Sequence, residues 1–159
     1  MGKRLLVRAA VAADAAVLTH NNLAMAAETE AKALDAAIVG RGVRAVFCDA
    51  RCGRYVVATD DDGPIVGQLM LTAEWSDWRN AWWWWIQSVY VAPSWRRQGV
   101  YRALHDHVWA EACRAPREGA DGVCGVRLYV EAENTTAQTT YAALGMGGSY
   151  RVMELPRPP

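Results

Sequence analysis

The amino-acid sequence predicts a mixed α/β fold, of the α+β kind, in which helices flank a central β-sheet. Short apolar or β-branched runs typical of strands alternate along the chain with longer runs of helical periodicity. The 159 residues are enough for one domain with a buried core, and no linker or internal repeat divides them. We therefore expect a single domain over residues 1–159, built on a mixed sheet of about six or seven strands.

The first third of the chain is predicted to contain one strand and several helices. Apolar residues alternate over residues 5–9, which indicates a strand, and Asp14 is suited to cap the helix that follows. A second, alanine-rich helix is expected over residues 30–38. Gly40 is expected to break that helix before a further helical stretch around residues 43–47.

The remainder of the chain alternates between strands and two helices. Strands are expected over residues 55–59, 65–73, 81–91, 126–131 and 150–155. The longest of them is apolar on both faces, which predicts that it lies in the middle of the sheet. One helix is expected to open at Gly99 and another at Asn134, and residues 156–159 are expected to fray.

Composition limits the functional classes. The chain has 17 basic and 17 acidic side chains, so no overall charge attracts nucleic acid or an anionic membrane. Only Cys48 and Cys52 form a close cysteine pair, so we expect neither a metal site nor a disulfide framework. The longest apolar run, residues 81–86, is too short to span a membrane, and Arg8 and Asp14 interrupt the apolar N-terminal stretch. These observations predict a cytoplasmic protein.

The segment in which a strand ends and a helix opens at Gly99 has the features of an anion site. The first turn of a helix offers backbone N–H groups without intrahelical partners at the positive end of the helix dipole. They suit a diphosphate, which Gly99 allows to approach closely, and Arg96, Arg97 and Arg102 add positive charge. An ordinary solvated basic turn is the alternative. A Rossmann dinucleotide site would need G-x-G-x-x-G, of which only Gly99 is present.

Two motifs resemble those of a known family. Residues 96–101 resemble the Q/R-x-x-G-x-G/A loop of the GNAT superfamily of N-acyltransferases, and residues 88–93 resemble the strand that leads into it. Residues 134–146 resemble the family's second motif, N-x-x-A-x-x-x-Y-x-x-L-G-F/M. The resemblance covers about residues 55–146. It departs from the pattern at Tyr101, where the family has Gly or Ala.

The resemblance implies that acetyl-CoA is the acyl donor and that it lies where two parallel strands splay apart. Those strands would be residues 87–91 and 126–130, with the backbone of Val89 and Val91 bonded to the pantetheine arm. An N–H near Val89 would polarise the thioester carbonyl. The cofactor-binding residues implied are Val89, Tyr90, Val91, Arg96, Arg97, Gln98, Gly99, Val100, Tyr101, Arg102, Asn134 and Tyr141. Asn134 could instead cap its helix.

The resemblance also makes Tyr141 the candidate general acid, with its hydroxyl near the leaving sulfur. Packing of its helix against the sheet is the alternative role. A general base is harder to assign, because some relatives have Glu at the position of Gln87, which cannot take up a proton. Glu74, at the end of the strand over residues 65–73, and Glu28, beside the first helices, are the candidates, and each could equally be a surface carboxylate.

The implied reaction is direct acetyl transfer from acetyl-CoA to a primary amine of a small-molecule or amino-acid-like acceptor. The alternatives are a non-catalytic acyl-CoA sensor on the same fold, acetylation of a protein or peptide amine, and a tryptophan-rich peptide-binding module. Side chains alternate between the two faces along a strand, so Trp83 and Trp85 should face one way and Trp82 and Trp84 the other. The four tryptophans therefore cannot all line one pocket. No nucleic acid, membrane or metal is expected as a partner, and homodimerisation, common in the family, is left open.

Overall fold

A computed structural model describes residues 4–61, 63–148 and 152–157. Its contacts divide the chain into two compact units, residues 1–129 and residues 130–159. The first unit contains β1 (Leu5–Ala9), α1 (Ala15–Glu30), α2 (Ala36–Cys48), β2 (Arg54–Asp60), β3 (Ile65–Ser76), β4 (Ala81–Val91), α3 (Val100–Arg114) and β5 (Val123–Leu128). The second contains α4 (Thr135–Ala143). A single domain over residues 1–159 stays a prediction.

The described strands form one mixed sheet in the order β1-β2-β3-β4-β5. Neighbours are antiparallel except β4 and β5, which are parallel and connected through α3. The predicted mixed α/β fold is confirmed, with five described strands in place of six or seven. Of the strand expected over residues 150–155, residues 150 and 151 lie outside the described part, and residues 152–155 do not form a strand.

Each face of the sheet has its own apolar core. α3 packs on one face through Val100, Leu104 and Val108, which are at most 1% exposed. On the other face, Leu18 of α1 and Val43 of α2 belong to a second buried cluster. The helices therefore cover both faces of β2 and β3. This packing fixes the first turn of α3 directly over the sheet.

A buried polar network ties α1 to the sheet. Gln68 of β3 is 1% exposed; it accepts a hydrogen bond from Asn21 Nδ2 and donates one to Asn22 Oδ1, each at 2.9 Å. Asn22 Nδ2 in turn donates to the Tyr55 hydroxyl at 3.1 Å. Because buried polar groups are costly unless paired, this network selects one position of α1 on the sheet.

The helix boundaries in the first third differ from the prediction. α1 ends where Ala31 adopts a left-handed conformation, with φ of 51°, and α2 starts only after Asp35, whose carboxylate accepts two backbone hydrogen bonds. The helix expected over residues 30–38 is therefore wrong, because capping by Asp35 prevails over alanine-rich composition. Gly40 lies inside α2, and the Asp14 side chain does not cap α1.

Candidate active site

The parallel strands β4 and β5 part in the middle of β4. Their pairing ends at Ile86, opposite Leu128, which is the last residue of β5. Residues 87–91 continue β4 and pair only with β3 among the described residues. The splayed parallel pair is therefore present as predicted, although β5 begins and ends three residues earlier than the strand expected over residues 126–131.

The backbone polar groups of Val89 and Val91 point into the gap beside β4. Residues of an antiparallel pair alternate between hydrogen-bonded and non-hydrogen-bonded positions. The Ala92 N–H donates to the Val66 carbonyl of β3 at 2.9 Å, which makes Val91 and Gly67 a non-hydrogen-bonded pair. Val91 and, two residues earlier, Val89 therefore direct their N–H and C=O groups away from β3. The Val91 carbonyl accepts from Arg96 Nε at 3.0 Å, and an extended ligand could bond to the Val91 N–H and to the backbone of Val89.

Three backbone N–H groups at the start of α3 have no acceptor among the described residues: those of Gly99, Val100 and Arg102. The first helical bond is from the Ala103 N–H to the Gly99 carbonyl at 2.9 Å. Gly99 has φ of 81°, a conformation that glycine adopts without strain. A Cβ built on Gly99 would meet no atom within 4 Å. Gly99 therefore faces open space at the start of the helix, and the arrangement fits a diphosphate.

The three arginines of this loop differ in their contacts. Arg96 donates from Nε to the Val91 carbonyl at 3.0 Å and forms an ion pair with Glu28 at the end of α1. Arg97 and Arg102 are exposed and form no ion pair within the described residues. Arg96 thus fastens the loop to the end of β4, whereas the other two guanidinium groups remain available to an anion.

The other loop side chains leave the space beside Gly99 open. Gln98 donates from Nε2 to the Ser94 carbonyl at 2.6 Å, which closes the turn before α3. The Tyr101 ring lies along the helix beside His105, with ring centres 6.1 Å apart. The departure from Gly or Ala at Tyr101 therefore does not fill the position that a Cβ on Gly99 would face.

Glu74 lies inside β3, opposite Trp83 of β4, and not at the end of the strand as predicted, because β3 continues to Ser76. Its Oε2 atom accepts a hydrogen bond from Trp85 Nε1 at 2.5 Å. Its Oε1 atom lies 3.3 Å from Arg127 Nη1. The two predicted base candidates thus lie in different places, with Glu28 beside Arg96 of the loop before α3 and Glu74 on the face of the sheet opposite α3.

Arg127 and Tyr129, which sequence reasoning missed, lie against the tryptophans of β4. Trp83 and Trp85 share one face of β4, as predicted, while Trp84 packs in the core on the other. The Arg127 Cζ atom lies 3.9 Å from the centre of the Trp83 ring, and Tyr129 stacks on Trp85 with ring centres 4.6 Å apart. Only the register of β4 and β5, which places Arg127 opposite Trp85, reveals this group.

Asn134 and Tyr141, also predicted as site residues, lie in the second unit. Asn134 Oδ1 accepts from the Ala137 N–H at 3.0 Å and so caps α4, while Gly145 follows the end of the helix with φ of 82°. Burial raises the pKa of the Tyr141 hydroxyl above its ordinary value. The hydroxyl is therefore protonated, and able to donate, at neutral pH.

Within the described ranges, no group of three His, Cys, Asp or Glu side chains could hold a metal ion. No helix in this part of the chain is long and apolar enough to cross a bilayer. Cys48 and Cys52 are exposed free thiols.

Comparison with known proteins identifies the class of protein to which this chain belongs. Residues 51–145 match the family model of the acetyltransferase (GNAT) domain. A possible acetyltransferase from Clostridium difficile 630 is 38% identical, with 96% of this chain and 97% of that chain covered and a TM-score of 0.86. These matches mark the chain as an acyltransferase. It belongs to the GNAT superfamily of N-acetyltransferases.

More distant structures share the fold. Aminoglycoside N-acetyltransferase AAC(6')-Iy in complex with CoA is 15% identical, with 99% and 97% of the two chains covered and a TM-score of 0.78. Ribosomal-protein-alanine N-acetyltransferase from Brucella melitensis biovar Abortus 2308 is 12% identical, with 97% and 100% covered and a TM-score of 0.74. No curated protein sequence matches the chain.

Proposed function

We propose that this protein transfers an acetyl group from acetyl-CoA directly to a primary amine of a small-molecule or amino-acid-like acceptor. The observation that carries the proposal is the start of α3. There the N–H groups of Gly99, Val100 and Arg102 have no acceptor, and Arg97 and Arg102 form no ion pair, among the described residues, while Gly99 faces open space. Amides and charges of this kind favour a diphosphate. The family supports the same donor.

In this proposal the loop and β4 hold the donor. The amides of the first turn, with Arg97 and Arg102, bind the diphosphate, while Arg96 positions the loop through Val91 and Glu28. The backbone of Val89 and Val91 bonds to the pantetheine arm in the gap beside β4. Acetyl-CoA, when bound, supplies the thioester carbon that the acceptor amine attacks.

Two proton movements accompany the transfer. Tyr141 donates a proton to the leaving sulfur, and its raised pKa keeps that proton in place at neutral pH. The acceptor amine must lose a proton; with an ordinary ammonium pKa of about 10.4, this costs about 4–5 kcal/mol near neutrality. We propose that Glu74 or Glu28 takes up this proton through water; each carboxylate lies beside an arginine, Arg127 for Glu74 and Arg96 for Glu28.

Binding of the donor is tested by thermal unfolding with acetyl-CoA. At about 100 times its dissociation constant, the ligand should add about 2.7 kcal/mol to the free energy of unfolding.

Gly99→Ala introduces backbone strain of about 1–2 kcal/mol and, in addition, a methyl group that faces the diphosphate. Its control is Gly119→Ala, because Gly119 also has a positive φ, 93°, and open space beside it. Equal acetyl-CoA affinity in the two variants would contradict the assigned site.

The alternative, a non-catalytic acyl-CoA sensor, is favoured by Gln87, whose amide donates to the Thr72 hydroxyl at 2.7 Å where some relatives carry a base. A panel of amines, followed by thiol release and product mass, separates the two functions. We expect turnover with at least one amine and a loss of about tenfold or more in kcat for Tyr141→Phe, with acetyl-CoA affinity unchanged. Binding without turnover of any amine would favour the sensor.

A further inference from the structure

Arg127 lies over the tryptophans of β4. Its Cζ atom lies 3.9 Å from the centre of the Trp83 ring and 5.6 Å from that of Trp85. Gly125 makes this possible, because a Cβ at that position would lie 2.4 Å from the Trp83 ring. Stacking of this kind fixes the plane of a guanidinium group and leaves its N–H edge exposed to a ligand.

Most N–H donors of the Arg127 guanidinium group are unused among the described residues. A guanidinium group has five N–H donors. Within the described residues, Arg127 makes one hydrogen bond, from Nη1 to Glu74 at 3.3 Å, and its side chain is 30% exposed. A planar fork of donors with a fixed orientation matches the two oxygens of a carboxylate.

The local charge favours an anion. Arg79 also lies over Trp83, with its Cζ atom 5.2 Å from the ring centre. Glu74 is the one carboxylate that forms an ion pair with either arginine among the described residues. Two cations against one anion give this group of three side chains a net positive charge. The aromatic faces that could have received a cationic acceptor are already occupied by these arginines.

The group also lies beside the proposed reaction centre. Trp85 pairs with Arg127, and the next pair, Ile86 with Leu128, is the last before the strands part. Val89, whose backbone faces the gap, is four residues beyond Trp85, which corresponds to about 13 Å along a strand. To reach both Arg127 and the thioester, the acceptor therefore has to bridge at most about this distance.

We propose that Arg127 binds a carboxylate of the acceptor, and therefore that the acceptor is an amino acid or a similar amine with a carboxylate. Trp83 and Trp85 fix the plane of the guanidinium group, and Glu74 orients its edge. This inference rests on the proposed acetyl transfer and specifies its acceptor class. It assigns to Arg127 the role of a specificity-determining residue.

The test compares amines that differ in the carboxylate alone. β-Alanine, 4-aminobutyrate and 6-aminohexanoate are each measured against their primary amides, by quenching of tryptophan fluorescence in the presence of CoA and by kcat/KM with acetyl-CoA. Converting the carboxylate to an amide also changes the pKa of the amine in the same molecule. Each variant's ratio of acid to amide is therefore compared with the same ratio in the wild type. We expect the wild type to prefer at least one acid by about 10- to 100-fold, the usual size of a charged hydrogen-bonded pair.

Arg127→Met should abolish this preference while leaving stabilisation by acetyl-CoA intact. Arg127→Lys keeps the charge but not the planar fork, and it should lose most of the preference as well. The matched control is Arg54→Met: Arg54 also lies over a tryptophan, Trp84, at 4.8 Å, and pairs with Glu111 at 2.7 Å, but on the opposite face of the sheet. That variant should keep the wild-type ratio.

Three results would overturn the proposal: no preference for any acid in the wild type, a wild-type preference in either Arg127 variant, or an equal loss in Arg54→Met. The fluorescence measurement does not depend on turnover. A wild type that distinguishes acids from amides in binding but acetylates none of them would therefore contradict the enzymatic function while supporting the carboxylate site.

Discussion

Gly67 allows α3 to lie close to the sheet, and this contact can be tested by adding one methyl group. A Cβ on Gly67 would lie 2.5 Å from Val100 Cγ1 and 3.3 Å from Leu104 Cδ1, both in side chains at most 1% exposed. Ordinary contacts begin at 3.4 Å, so α3 would have to move by about 0.9 Å at its first turn. That turn contains the proposed diphosphate amides.

We expect Gly67→Ala to lower the free energy of unfolding by about 1–2 kcal/mol. Overpacking costs about 1–3 kcal/mol, and the reduced entropy of the unfolded chain offsets about 0.4–1 kcal/mol of it. Urea unfolding measures this change. Acetyl-CoA affinity should fall in the same variant, since the amides of the first turn are displaced.

Val100→Ala provides the decisive control. Alone, it should cost about 2 kcal/mol, for two buried carbons and the cavity they leave. Combined with Gly67→Ala, the new methyl group occupies the space that Cγ1 vacates. The double variant should therefore be at least about 1 kcal/mol more stable than the sum of the single effects predicts. Additivity within about 0.5 kcal/mol would refute the contact.

Two further predictions concern the network under α1. Gln68→Leu leaves Asn21 and Asn22 without their buried partner, so urea unfolding should show a loss of about 2–4 kcal/mol; a change below about 1 kcal/mol would contradict a dry, fully paired network. Burial raises the pKa of the Tyr55 hydroxyl above its ordinary value near 10, while Asn22 opposes the shift. The resulting stability is present below about pH 10 and lost as the pH rises through the raised pKa, so the wild type should lose more stability than Tyr55→Phe between pH 9 and 11.

The proposed donor site was predictable because its signals are local. The turn before α3 depends on one glycine that adopts a positive φ, and the start of α4 depends on Asn134, whose side chain caps the helix. Both follow from residues within a few positions of each other. The strand over residues 81–91 was equally evident, because it is apolar on both faces.

The parts that sequence reasoning missed depend on contacts between distant segments or on single backbone conformations. The end of α1 follows from the left-handed conformation of Ala31, a residue with high helix propensity that gives no signal of a break. Arg127 meets Trp83 and Trp85 only through the parallel register of β4 and β5, more than 40 residues apart in the chain. A one-residue change in that register would direct Arg127 to the core face.

β4 carries parts of both the proposed carboxylate site and the proposed donor site, and its rigidity limits the length of the acceptor. Its first half carries the tryptophans that hold Arg127, and its second half carries the backbone groups of Val89 and Val91. Because β4 is hydrogen-bonded to β3 on either side of a single register shift, the distance between the two halves is fixed. A carboxylate bound at Arg127 therefore sets how far the acceptor amine can extend. Activity along a series of ω-amino acids should pass through a maximum at one chain length, whereas an acceptor bound by its amine alone would show no such optimum.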